Sequence, residues 1–210
     1  QGLSSGFASF DPDSATRHIF SAFVQDEIKL VPDRLRLILG TKLEHNEYTG
    51  LEFQPSARVV LTPSEPHTLW ASAARALRTP ARYERDIRFN LGSSPGGGGV
   101  PPTEIALLGN PDFLSEKLFA YELGYRVQPG PNVTFDAAGF YNVYEDLRTA
   151  ESGTPSFVFA PAPPHVEIPL QFANKLHGET YGVELSGNWK ITDSWKLGAG
   201  YTWLRAHMRL

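Results

Sequence analysis

The stretch LFAYELGYRV at 118–127, followed by QPGPN and a second run VTFDAAGFYNV from Val133, decides the fold. In the first run Phe119, Tyr121, Leu123, Tyr125 and Val127 alternate with Ala120, Glu122, Gly124 and Arg126. A period of two with one apolar face is the pattern of a β-strand. Glu122 and Arg126, separated by small residues, occupy the other face. Two environments fit: a surface strand of a soluble sheet, or a strand with lipid on one side and a polar lumen on the other.

Outward from this hairpin the same period recurs. Residues 19–31 read IFSAFVQDEIKLV, where the face of Phe20, Ala22 and Val24 also carries Asp26. Pro32-Asp33 makes a tight turn. At 34–46, Leu35, Leu37, Leu39 and Leu43 oppose Arg36, Lys42 and Glu44. At 52–62, Phe53, Ala57, Val59 and Leu61 oppose Gln54, Ser56 and Arg58, and Pro55 predicts an interruption or bulge. The Ala-rich segment 68–77 has the propensity of a helix, but its hairpin neighbours predict a strand. A last hairpin is predicted from 179–190 and 195–207 across Thr192-Asp193. Residues before 17, from about 78 to 113 and from about 149 to 176 read as loops. The second of these contains Ser93-Ser94-Pro95 and the run Gly96–Gly99, and the third Pro155, Pro161, Pro163, Pro164 and Pro169.

Connection lengths favour the membrane environment. Short turns near Pro32, Pro63, Pro129 and Thr192 alternate with a medium connection near Tyr48 and two very long ones. In an up-and-down meander all the tight turns then lie at one rim and all the long loops at the other, as in outer-membrane barrels. In the last hairpin Tyr181, Val183, Leu185, Gly187 and Trp189 share a face, as do Trp195, Leu197, Ala199, Tyr201 and Trp203. A register opposing Trp189 to Trp195 and Tyr181 to Trp203 places aromatics at both ends of an apolar band. Eight residues at about 3.3 Å each, tilted by about 40°, span roughly 20 Å, close to the apolar height of such a barrel. The equivalent register for the first hairpin opposes Val127 to Val133 and lays Tyr121 over Gly139. The fold class expected is all-β, an antiparallel up-and-down transmembrane β-barrel, here a partial barrel of about eight strands.

Composition excludes several functions. A net charge of −4 argues against nucleic acid as partner. The mean hydropathy of −0.27 and the lack of a run of roughly 18 apolar residues exclude transmembrane helices and leave barrels untouched. Without cysteine there is no disulfide, thiolate metal site or cysteine nucleophile. His18, His45, His67, His165, His177 and His207 are dispersed with no metal-ligand spacing, and the glycine run lacks the Lys-Ser/Thr of a phosphate loop. Glu116, Glu122 and Glu184 read as lumen-facing polar positions rather than an acid/base pair. No enzyme is indicated.

FVQDEIKL at 23–30, LILGTKLEHNEYTG at 37–50, FQPSARVVLTP at 53–63 and LWASAARALRTPARYER at 69–85 resemble the β-barrel region of TonB-dependent outer-membrane receptors. So do NPDFLSEKLFAYELGYR at 110–126, FYNVYEDL at 140–147, GETYGVELSGNW at 178–189 and LGAGYTWL at 197–204. The resemblance implies a plugged barrel of about 22 strands that takes up scarce ligands such as ferric siderophores or cobalamin. It implies energy from the TonB–ExbB–ExbD complex, contact with outer-membrane lipid and lipopolysaccharide, and no cofactor. It also implies that this chain is an internal or C-terminal-half piece, with the plug, the TonB-contacting segment and the terminal strand outside it. Alternatives from other classes are a passive porin-like barrel and a soluble β-sandwich binding module.

Candidate ligand-binding residues are Arg82, Tyr83, Arg85, Arg88 and Phe89, at the start of the first long loop. Cationic and aromatic side chains at an extracellular mouth suit an anionic, aromatic ligand such as a ferric catecholate. The alternatives are solvated loop charges or contacts to lipopolysaccharide. Phe157, Phe159 and Phe172 either pack the second long loop or touch ligand.

Overall fold

In the computed structural model, which describes residues 8–160 and 163–210, strands dominate. In chain order they are β1 (Ala8–Phe10), β2 (Ile19–Val31), β3 (Leu35–Asn46), β4 (Gly50–Ser64) and β5 (His67–Arg78). After the short helix α1 (Arg82–Asp86) come β6 (Ile87–Ser94), β7 (Thr103–Leu108), β8 (Glu116–Gly130) and β9 (Val133–Ser152). β10 (Ser156–Val158), β11 (His165–Lys190) and β12 (Lys196–Arg209) complete the set. All twelve belong to one sheet, curled as a half-barrel. A sandwich needs a second sheet over the apolar face, and the described residues form none.

Eight strands make the antiparallel meander that the period-two segments predict: β2, β3, β4, β5, β8, β9, β11 and β12. The Ala-rich segment is indeed a strand, because β4 and β8 both pair with it. Pro55 does not interrupt β4. It pairs with Thr41 in an unbroken register on the β3 side, while the ladder to β5 ends at Ser56. Arg75 of β5 instead sends its guanidinium to the Phe53 carbonyl. A proline is tolerated in a strand where one edge has lost its partner.

Both hairpin registers differ from expectation by two residues. Val127 faces Phe135, Leu123 faces Gly139 and Tyr121 faces Tyr141, because Gly130 pairs with Val133 across Pro131-Asn132 and a bulge lies between Val127 and Gly130. In the last hairpin Trp195 belongs to the turn, where its N–H donates to Thr192 Oγ1 (3.1 Å), so Lys190 faces Lys196 and Trp189 faces Leu197. A slip of two restores the same side of the pleat, so the predicted strand faces survive, with Trp195 alone moved from its strand into the turn. Tyr181 and Trp203 become diagonal neighbours, with ring centroids 6.0 Å apart. An aromatic does cover a glycine, at another pair: the Trp70 indole lies over Gly124 and leaves no room for a Cβ there.

The outer face carries Leu69, Leu123, Val183, Leu185, Leu197 and Tyr201, all exposed. Tyr121, Tyr141 and Tyr181 stand side by side across β8, β9 and β11 and mark one border of the apolar band. Trp189 and Trp195 mark the other. On the concave side Arg58 lies 4.9 Å from the Trp70 ring and Ser72 donates to Glu122 (3.1 Å). Across β8 and β9, Arg126 pairs with Asp136 at 2.5 Å.

The long connections are more ordered than the sequence suggests. Residues 79–115 form α1 and the β6–β7 hairpin, whose turn is closed by a Gly97–Val100 bridge. Gly96 to Gly99 all have positive φ, which explains a glycine run that reads as flexible loop. Although β5 pairs with β8, β7 passes beyond β8 and β9 to pair in parallel with β11 at residues 166–171, on the edge that β12 uses lower down. The segment from 149 to 176 is mostly the upper parts of β9 and β11, and the short β10 folds onto His165–Glu167. The expected loop before residue 17 lies partly outside the described residues, as does Pro161, and Ala8–Phe10 pairs with β6.

The two faces make a direct prediction. Leu185→Arg places a charge on the exposed apolar side and is expected to cost about 2–4 kcal/mol at the membrane midplane, whereas Ser186→Arg faces inward and is tolerated. The assembled fraction of each variant, read from heat-modifiable electrophoretic mobility in membranes, distinguishes them; equal loss for both contradicts the faces.

Candidate functional site

The long connections gather at the loop end of the half-barrel and form a layer across its mouth. Pro80 precedes α1, and the Glu84 side chain accepts the Ala81 N–H at 2.8 Å, which satisfies a free donor of the first turn. Glu84 is fully buried. It also accepts a bidentate pair from Arg78 of β5 (3.0 and 2.6 Å) and bonds from Arg148 of β9 (3.3 Å) and Tyr83 (3.2 Å). Arg78 further donates to Glu116 of β8 at 2.7 Å. One carboxylate thus ties the helix to β5 and β9 through charge-assisted hydrogen bonds, and Arg78 extends the link to β8.

An aromatic cluster lies beside it. Tyr83 packs edge-on to Phe172 of β11 (5.7 Å), and Phe172 does the same to buried Phe113 (6.4 Å). The Arg148 guanidinium covers both Tyr83 (5.4 Å) and Phe172 (5.6 Å). Phe172 is therefore part of the packing of this layer. Phe157 and Phe159 pack on each other at 5.0 Å.

All three candidate arginines have protein partners. Arg82 covers the Phe10 ring at 4.6 Å, approaches Asp86 (3.5 Å) and donates to the Pro12 carbonyl. Arg85 donates to the carbonyls of Tyr48 (3.2 Å) and Phe113 (3.3 Å) and lies over the Tyr48 ring at 4.7 Å, where Arg17 approaches at 4.8 Å. Arg88 on β6 bridges Glu104 (3.1 Å) and Glu167. Phe89 faces Ala8 on one side and Leu107 on the other within the β1–β6–β7 sheet. The structure thus brings Arg82, Tyr83 and Arg85 together on α1 and sets Arg88 and Phe89 apart on β6. Arg78, Glu84, Arg148, Arg17 and Tyr48 were not singled out from the sequence, since only the crossing of the long loop brings them to the same place.

Glu116 lies at the end of β8, beyond the tyrosine border. The Arg78 hydrogen bond holds its carboxyl below the usual carboxylate range against the opposing effect of burial, and the Arg148 backbone N–H (2.9 Å) adds to the lowering. A lowered folded-state pKa gives stability that is complete above the ordinary value of about 4.3 and lost as pH falls through the folded value. Amide protection factors across residues 80–90, corrected for the intrinsic pH dependence of exchange, are therefore expected to be full at neutral pH and to fall below about pH 4. Glu84→Gln breaks the bidentate pair and is expected to lower the opening free energy of the same amides by about 2 kcal/mol at neutral pH. Unchanged exchange in the variant contradicts the anchoring role.

With this geometry in hand, the relatives are informative. The family described as TonB dependent receptor-like, beta-barrel matches residues 2–209. The iron-regulated outer membrane virulence protein of Vibrio cholerae is 25% identical over 190 residues, covering 90% of this chain and 28% of that protein. Among solved structures, a variant of the ferric enterobactin receptor of Pseudomonas aeruginosa in complex with enterobactin is 25% identical, with a TM-score of 0.71 over 90% of this chain and 27% of that one. The siderophore receptor PirA of Acinetobacter baumannii has a TM-score of 0.72 over 90% of this chain and 27% of its own; at 22% identity it speaks for the fold alone. The chain therefore spans little more than a quarter of the length of these relatives. It belongs to the β-barrel family of TonB-dependent receptors, outer-membrane proteins that are not enzymes.

Proposed function

We propose that this chain is part of the barrel domain of an outer-membrane receptor for TonB-driven uptake of a ferric siderophore. The observation that carries the reading is the arginine- and aromatic-rich layer at the mouth of a lipid-facing wall that matches the barrel family over residues 2–209. The relatives support the cargo class, since the 25% identical solved structure is a ferric enterobactin receptor in complex with enterobactin and the 25% identical Vibrio cholerae protein is described as iron-regulated. A plug domain, a TonB-contacting segment and the remaining barrel strands belong to the same proposal, as does energy from TonB–ExbB–ExbD.

Within that receptor Arg82, Tyr83, Arg85, Arg88 and Phe89 form one flank of the ligand mouth. Tyr83 is the one exposed member of the five, and the uncovered part of its ring can meet a catecholate. The arginines supply positive potential near the anion while their existing partners keep the layer in place. A binding surface held by fixed side chains spends less conformational entropy on its ligand.

Uptake of radiolabelled iron by intact cells tests the proposal. Removing the receptor is expected to abolish accumulation from at least one ferric catecholate, and deleting TonB to have the same effect. Tyr83→Ala together with Arg85→Ala is expected to weaken binding about tenfold, since loss of one cation–π or stacking contact costs on the order of 1 kcal/mol. Uptake that persists without TonB indicates a passive porin-like barrel instead.

A further inference from the structure

Above β12, on the edge where β7 pairs with β11, three ligand-type side chains converge. Glu104 of β7 and Glu167 of β11 face each other across the parallel ladder, and His165 lies two residues before Glu167 on the same side of the strand. All three are buried, and His165 is completely so. Their nearest ligand atoms lie within 4.8 Å of one another.

The hydrogen bonds fix how these groups are presented. His165 Nδ1 is 2.8 Å from the Pro163 carbonyl, which can only accept, so Nδ1 carries the proton. In the neutral ring, Nε2 then bears the lone pair. Buried Nε2 has no hydrogen-bond partner and points towards Glu104 Oε2 at 3.7 Å. Leaving such a buried acceptor without a protein partner costs free energy. An imidazole whose Nδ1–H donates to a backbone carbonyl and whose Nε2 faces carboxylates is in the state that binds metals. Arg88 takes the other oxygen, Glu104 Oε1, and also reaches Glu167. It holds the two acidic side chains together while leaving Glu104 Oε2 to face the histidine.

We propose that Glu104, His165 and Glu167 form a binding site for a divalent first-row transition metal, with Zn²⁺ as its best match. One imidazole and two carboxylates are ordinary zinc ligands at about 2.0–2.2 Å, which places neighbouring ligands around a tetrahedral ion about 3.4 Å apart. The 3.7 Å between His165 Nε2 and Glu104 Oε2 is already near that value. Because the ligands come from β7 and β11, a bound ion clamps the loop layer to the barrel wall. This site is distinct from any ferric cargo, whose iron a siderophore would itself coordinate.

The test uses the intact receptor purified in detergent, loaded with zinc chloride and freed of excess metal by gel filtration. Wild type and a His18→Gln control, in which the three ligands are intact, are each expected to retain one zinc per chain, and wild type to show slowed amide exchange at 103–108 and 165–171 when loaded. His165→Gln and Glu167→Gln are each expected to weaken zinc binding at least tenfold, with the electrophoretic mobility of the folded barrel unchanged. Zinc retention equal in wild type and His165→Gln, or no zinc in wild type, overturns the proposal. Should either variant fail to assemble, cobalt-loaded wild type decides: visible d–d absorption of a low-coordinate ion supports the site, and its absence overturns it.

Discussion

Glu84 has no solvent contact, yet four groups donate to it: the guanidinium groups of Arg78 and Arg148, the Tyr83 hydroxyl and the Ala81 backbone. A buried carboxylate is costly unless its lone pairs are satisfied, and losing one partner leaves an uncompensated charge. The arrangement therefore holds only when β5, β9 and α1 are in place together. Most of the mouth follows from it. With α1 fixed, Arg85 reaches Tyr48 and Phe113, Tyr83 meets Phe172, and the β6–β7 hairpin is delivered to the far edge of β11.

The wall obeys a different constraint. Its outer face exposes Leu123, Val183, Leu185, Leu197 and Tyr201, a contiguous apolar surface that water would penalise and lipid accommodates. Few apolar side chains of the described residues are buried at all, and Phe113 and Phe172 among them lie in the mouth layer rather than under the wall. Cohesion of the wall comes from its backbone ladders. That is the expected balance where the solvent is hydrocarbon and every backbone polar group must find an internal partner.

Charges at the mouth are arranged in local sets rather than as one positive field. Arg88 is shared by Glu104 and Glu167, Arg82 by Asp86 and Phe10, and Arg17 by Glu47 and Tyr48. Aromatic faces and carboxylates thus fix guanidinium groups in planar, directional contacts that lysine could not reproduce. A layer so constrained keeps its side chains in fixed positions, and the Glu104–His165–Glu167 cluster proposed as a metal site lies at its edge.

Alternation at 118–127, at 34–46 and 52–62 and in the last hairpin, together with the tight turns between them, marked the strands of the meander, because a period of two is a local property of the pleat. The aromatic borders were legible for the same reason, even with registers wrong by two, since such a slip leaves side chains on the same face. Arg82, Tyr83 and Arg85 could be noticed as a basic and aromatic cluster along the chain. Glu84 between them could not be recognised as their anchor, because Arg78 and Arg148 reach it only after β5 and β9 are set in the sheet. His165 and Glu167 carried a weak signal, two ligand types one pleat apart, but Glu104 lies some sixty residues earlier in the chain. It joins them only through the parallel pairing of β7 with β11. The membrane wall is thus written in local alternation, whereas the mouth exists only once a long loop has crossed two strands, because its contacts join residues far apart in the chain.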